Sequence, residues 1–212
     1  MNREEKIKKL DELQKEVSGC GKCSLSKTRT QTVFGEGDPD SEIFFVGEAP
    51  GYNEDQQGIP FCGAAGKFLD QLLASIELDR NKVYIANTLK CRPPDNRDPE
   101  PEEKTACRDY LTQQVEIISP KIIITMGRHS TETYLPGIGG ITKTRAKLFR
   151  RPNGRFYFPL YHPAAALHNG SLRRTLEDDF KKIPEAIKKV KAELEKVVEK
   201  VEEKKVKNLK LF

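Results

Sequence analysis

The residues with the greatest chemical potential in this chain fall into two sets. The first lies between Glu42 and Asp70, EIFFVGEAPGYNEDQQGIPFCGAAGKFLD, where a short apolar run ends in a glycine–proline turn bearing Glu48, Glu54 and Asp55, with Phe61 close behind. One loop carboxylate is by default a solvated surface group. Three of them directly after a buried run, beside an aromatic ring, suit the polar wall of a ligand pocket. The second set is four of the five cysteines. Cys20 and Cys23 make a C-x-x-C, and Cys91 follows after a gap of sixty-seven residues, with fifteen more between it and Cys107. Four soft thiolates brought together bind zinc or an iron–sulfur cluster. Buried unliganded thiols fit less well, because a polar C-x-x-C is no core pattern. Cys62, next to the carboxylate loop, reads as a small structural residue.

These residues need a scaffold, and the periodicity supplies one. A charged amphipathic helix over residues 2 to 17, with Ile7, Leu10, Leu13 and Val17 on one face, leads into the C-x-x-C. Strands are expected over Glu42–Val46, Val83–Ala86, Lys121–Met126 and Arg155–Tyr161; KIIITM is continuously apolar, as a central parallel strand is. Helices are expected over residues 63–76 and 99–118, from Gly127 to Leu135, and from about Ser171. For the second of these, Asp98 is the N-cap and Pro99 the first position, followed by acids on the positive dipole end. From Ile183 the apolar positions Ile183, Ile187, Val190, Leu194, Val197 and Val201 form a heptad seam. Helices alternating with strands imply a three-layer α/β/α fold on a central four-stranded parallel sheet. Its four carboxyl-end loops, at Glu48, Asn87, Gly127 and His162, converge where open α/β sheets hold ligands. His162 becomes a candidate by that position.

Composition adds boundaries. The net charge is +5, and residues 181–212 alone hold eleven Lys and six Glu, so the body up to Phe180 is neutral and charge by itself names no nucleic-acid partner. Charged residues make up 33% of the chain, mostly Lys and Glu, and Trp is absent, a balance similar to that of thermophile proteins. No apolar run is long enough for a membrane span. The opening MNREEKIKKLDEL has charge where a secretory signal needs an apolar core, so a cytoplasmic location is expected. Taken alone, the residues give a ligand pocket without a named reaction.

Four segments in order, GEAPGYNED, PFCGAAGKFLDQLL, NTLKCRPPDNRDP and HPAAAL, resemble the iron–sulfur, thermostable-type family 4 uracil-DNA glycosylases, co-linearly from Cys20 to about Leu172. The resemblance implies a uracil-DNA glycosylase-like catalytic domain over residues 1–180, with 181–212 as a charged helical extension. It implies a base-excision repair enzyme that flips uracil out of single- or double-stranded DNA and hydrolyses its glycosidic bond without cutting the strand. It further implies an iron–sulfur cluster of the [4Fe-4S] kind on Cys20, Cys23, Cys91 and Cys107. By the same likeness, Phe61 stacks on uracil, Asn87 reads its edge, and a backbone amide in the turn Gly47 to Ala49 assists. His162 donates to the uracil carbonyl, Glu48 supports the water or the sugar cation, and Glu54 crowds the pyrimidine C5 position. Ala49 stands where related families carry a water-activating Asp or Asn. Leu167 is the expected wedge, next to Ala166, where the family often has its large apolar residue. Lys143, Arg145, Arg173 and Arg174, with Arg128, Lys147, Arg150 and Arg151, are candidate phosphate contacts. A monomer is expected; the tail Lys207–Phe212 reads as a frayed end, with docking on a sliding clamp as the alternative, since it lacks the glutamine and paired aromatics of clamp-binding peptides. Two alternatives stay open: a non-catalytic DNA-binding module stapled by zinc, and a glycosylase that links covalently to the abasic sugar.

Overall fold

The structure is a computed structural model that describes residues 1–167 and 169–209, with side chains through residue 199 apart from 168 and 198. Its strands are β1 (Glu36–Gly37), β2 (Ile43–Gly47), β3 (Tyr84–Asn87), β4 (Ile122–Met126), β5 (Phe149–Arg150) and β6 (Phe156–Leu160). The helices are α1 (Arg3–Ser18), α2 (Tyr52–Gln57), α3 (Ala64–Ala74), α4 (Pro101–Ile118), α5 (Arg128–Tyr134), α6 (Ile141–Thr144), α7 (Pro163–Leu167), α8 (Gly170–Phe180) and α9 (Ile183–Leu209).

β2, β3, β4 and β6 carry no polar alternation, and every one of their residues is buried. Such strands need cover on both faces, and parallel pairing with helical crossovers provides it. The sheet order is β1-β3-β2-β4-β6-β5, with the four long strands parallel at the centre. The two-residue strands β1 and β5 add antiparallel edges, so the sheet is six-stranded and mixed at its margins. One core packs α3, α7, α8 and the start of α9 on one face through Phe45, Leu69, Leu72, Leu176, Phe180 and Ile183. The other packs α1 and α4 through Leu13, Val17, Phe44, Tyr110 and Val115.

Several boundaries differ from those expected, for local reasons. α4 starts two residues later than Pro99. Glu103 is buried and bonded to Arg97, and it accepts the Glu100 N–H at 2.9 Å, so Glu100 is the cap and Pro101 the first helical residue. Asp98 is thereby left for other partners. The segment HPAAAL contains a helix of its own, α7. The basic stretch 142–155 includes part of α6, β5 and a hairpin in which Gly154, at φ +80°, donates to the Arg151 carbonyl at 2.9 Å. The seam of α9 docks on the body: Ile183, Ala186 and Val190 are buried, and Lys191 pairs with Glu42 at 2.8 Å. The side chains of Val201 and of the tail 207–212 lie outside the described residues. No described helix is long and apolar enough to cross a membrane.

Candidate active site and cysteine site

Register brings the loops together. Gly47 pairs with Asn87 across β2 and β3, and Met126 with Leu160 across β4 and β6, so four chain segments leave the sheet at one level. The exits of β2 and β3 are joined, with Thr88 N–H donating to Gly47 O at 3.1 Å and Leu89 N–H to Glu48 O at 3.0 Å. Above this edge lies a cavity of about 400 Å³ walled by Glu48–Gly51, Glu54, Phe61, Ala65, Asn87, Pro93, Asn96, Arg97, His162 and Ala164.

Phe61 is buried and sits at φ +52°, a left-handed conformation that a bulky residue adopts only when its surroundings enforce it. Two features do so here. Arg80 bonds to the carbonyls of Pro60 and Phe61 while pairing with Asp70 at 2.7 Å and with Glu36. On the other side, a Cβ on Gly66 would stand 1.6 Å from the Phe61 carbonyl oxygen, so only glycine permits this loop to lie on α3. Gly47 plays a similar part, since a Cβ there would come within 2.3 Å of Asn87 Oδ1 and 2.5 Å of Phe61 Cζ.

Asn87 is buried, and its Oδ1 has no partner among the described residues. An unpaired buried amide oxygen costs of the order of 1–3 kcal/mol, which a ligand N–H in the cavity would recover. His162 faces Phe61 with ring centroids 5.4 Å apart. Burial pushes its pKa down to about 4, against a weaker opposing pull from Glu54, so the ring is neutral near pH 7. The Ala164 N–H donates to Nδ1 at 3.1 Å, which puts the remaining proton on Nε2. Gly127, at φ +93°, has space for a Cβ only 3.1 Å from that of His162, and so the β4 loop backs the ring without lining the cavity.

The three carboxylates of the first loop divide. Both Glu54 oxygens accept backbone N–H groups, from Gly51 at 3.1 Å and Gly63 at 3.0 Å, tying the starts of α2 and α3. Asp55 turns away from the cavity and accepts the Thr30 N–H. Glu48 stands at the mouth, and burial raises its pKa above the ordinary carboxylate range, against the lowering influence of His129. His129 Nε2 lies 3.8 Å from Glu48 and 3.2 Å from Asp98, Arg128 bonds to Asp98 at 2.9 Å, and Lys104 approaches His129 Nδ1 at 3.2 Å. Glu48, Asp98 and His129 are close enough to share a metal ion. Arg128, paired with Asp98, and Lys104, against His129, already bring positive charge to the group.

Of the candidate phosphate contacts, Lys143 and Arg174 are exposed with no carboxylate partner among the described residues. Arg145 is bound to the fully buried Asp179 and lies over Tyr161, while Arg173 bonds Glu177 and Gln71 and covers Phe68. Arg128 is paired with Asp98. Leu167, 40% exposed, ends α7, whereas Ala166 is packed in the core and cannot reach outward. Pro93, Asn96, Arg97, Asp98 and His129 join the site only through the fold. Their signals in the sequence are the polar run NRDP after two prolines and a histidine three residues past β4.

Cys20, Cys23, Cys91 and Cys107 line one pocket between the end of α1, the loop after β3 and α4. Four soft thiolates brought to one pocket are the donor set of zinc or of an iron–sulfur cluster. Donors face the sulfurs: Arg29 Nη1 reaches Cys91 at 3.1 Å, and the N–H groups of Lys90 and Lys22 reach Cys107 at 3.3 Å and Cys20 at 3.5 Å. Burial raises the thiol pKa of Cys91 and takes that of Cys107 up to about 11, so thiolates here need a compensating positive centre.

Residues 34–191 match the Uracil DNA glycosylase superfamily. The chain is 53% identical over 184 residues to the type-4 uracil-DNA glycosylase of Sulfurisphaera tokodaii, covering 83% of this chain and 84% of that protein. It is 45% identical over 190 residues to that of Archaeoglobus fulgidus, with 84% and 94% covered, and 43% identical over 176 residues to that of Thermotoga maritima, with 82% and 92% covered. The loops that close the cavity and the cysteines beside it thus sit in a chain that belongs to the type-4 family of the uracil-DNA glycosylase superfamily.

Proposed function

We propose that this protein excises uracil from DNA by hydrolysing the bond between C1′ of the deoxyribose and N1 of the base. The observation that carries this reading is the pairing, in one cavity, of the unpartnered Asn87 Oδ1 with the neutral His162 ring. Uracil offers a ring N3–H flanked by two carbonyls, and Asn87 supplies an acceptor for that N–H. As the glycosidic bond breaks, negative charge collects on the uracil and positive charge on the sugar. A neutral Nε2–H aimed at a uracil carbonyl stabilises that charge without donating a proton outright. Phe61 provides the stacking face. The 5.4 Å between it and His162 is less than the about 7 Å that a base sandwiched between two rings would need, so the base takes the part of Phe61 that His162 leaves open or moves the imidazole aside.

Glu48, at the mouth, is the carboxylate placed to support the sugar cation and the water that adds to C1′; Ala49 has no group for that work. Glu54 shapes the wall near the base through its two backbone bonds. Leu167 fills the gap left by the flipped nucleotide, and Lys143 and Arg174 hold the backbone phosphates. The four cysteines hold an iron–sulfur cluster, which when bound cross-links α1, the loop after β3 and α4. That loop also carries Pro93, Asn96 and Arg97 into the cavity wall.

Incubation with uracil-containing oligonucleotides, single-stranded and paired with G or A, followed by alkali, tests the reading. Cleavage at the uracil position is expected, and its absence over a range of salt and temperature would overturn it.

A further inference from the structure

Tyr52, the first residue of α2, is 59% exposed, an unusual placement for a tyrosine. Its neighbour Gly51 lines the cavity, as does Pro93 beside Arg92. The Arg92 guanidinium lies 5.2 Å from the Tyr52 ring centroid and covers one of its faces. Arg92 is held there by donating from Nε to Asn96 Oδ1 at 2.8 Å, across a tight turn in which Asp95 and Asn96 both take positive φ. Most guanidiniums nearby are consumed by carboxylates: Arg97 by Glu100 and Glu103, Arg128 by Asp98, Arg80 by Glu36 and Asp70. Arg92 has no carboxylate partner among the described residues.

A rigid aromatic ring with an open face, backed by an uncompensated guanidinium and fixed to the rim of the uracil cavity, has the chemistry of a nucleotide subsite. We propose that Tyr52 and Arg92 form a second nucleotide-binding subsite, in which the open face of Tyr52 stacks on the base adjoining the flipped uracil and Arg92 contacts the phosphate between them. This rests on the glycosylase reading above and extends it to the neighbouring nucleotide. Aromatic stacking accepts any base, so the subsite adds affinity without adding sequence preference, and it serves single-stranded DNA best, where the neighbouring base is free to turn.

The test uses single-stranded uracil oligonucleotides in which the base on each side of the uracil is replaced in turn by an abasic tetrahydrofuran residue. For the wild-type enzyme one of the two replacements raises KM by about 5- to 150-fold, the range expected for one stacked base. Tyr52→Ala raises KM on the intact strand by a similar factor and is then indifferent to that replacement, while Tyr52→Phe retains the wild-type sensitivity. Arg92→Gln lowers the slope of log affinity against log salt by about 0.7, the share of one phosphate on a single strand. Tyr52→Ala with unchanged KM, or with lost affinity but full sensitivity to both replacements, overturns the subsite while leaving uracil excision intact. A wild-type protein that releases no uracil from the intact strand overturns the glycosylase reading and the subsite with it.

Discussion

On the proposed mechanism, replacing His162 by alanine removes a cavity-lining side-chain donor to the leaving base. Loss of a single oxyanion-type donor costs about 10²- to 10³-fold in rate, and the expected fall in single-turnover excision is of that size. The mechanism requires a neutral imidazole with its proton on Nε2, and two features of the fold supply it: burial, which takes the pKa to about 4, and the Ala164 N–H on Nδ1. Nitrogen-15 NMR of the imidazole should therefore show a single neutral tautomer from pH 8 down to about 5. The same shift has a stability consequence. Between about pH 6.5 and 4 the unfolded chain binds a proton at this position that the folded chain refuses, so stability falls as pH drops through that window and levels off below it. The full shift corresponds to at most about 3 kcal/mol, reduced because the ring borders an open cavity. In urea denaturation, the difference between wild type and His162→Ala should shrink or change sign over that window. An imidazole titrating near 6.5, or a variant keeping a third or more of the wild-type rate, would refute the reasoning.

Other outcomes follow from single contacts. Gly47→Ala places a methyl 2.3 Å from Asn87 Oδ1 and 2.5 Å from Phe61 Cζ; a shift of about 1 Å in either costs about 100-fold in kcat/KM, with helix content by circular dichroism retained. Arg145→Ala leaves the buried Asp179 with Lys182 alone, at 3.1 Å, and should cost about 3 kcal/mol in denaturant unfolding. By contrast, Arg174→Ala should weaken DNA binding and its salt dependence at constant stability. Cys91→Ser should lose the brown colour and visible absorption of a bound iron–sulfur cluster and lower the Tm in the same preparation.

The central sheet was legible because IFFV and KIIITM are short, β-branched or aromatic apolar runs that end at glycine turns, which favours a buried strand over a helix, and those turns marked where a ligand would sit. The edge strands were not, since two-residue pairings such as Glu36–Gly37 leave no periodic trace. The cysteine set was legible from spacing, because a C-x-x-C after a polar helix has few other uses. What the sequence concealed were partners. Nothing in GEAPGYNED says that Glu54 spends both oxygens on backbone N–H groups or that Asp55 faces Thr30. Arg145 and Arg173 look like phosphate contacts until their long-range partners, Asp179 and Gln71, are seen. His129 belongs to the turn Gly127-Arg128-His129 after β4, but nothing in that turn tells that its ring reaches Glu48 and Asp98, which the sequence reading makes a helix cap.

The most direct test of the account is to identify what leaves the DNA. Chromatography of the reaction on a uracil-containing duplex should show free uracil in equal amount to the abasic sites formed, with the strand uncut before alkali and no protein joined to it. Release of a uracil nucleoside or nucleotide, strand scission without alkali, or a protein–DNA adduct on a denaturing gel would contradict it.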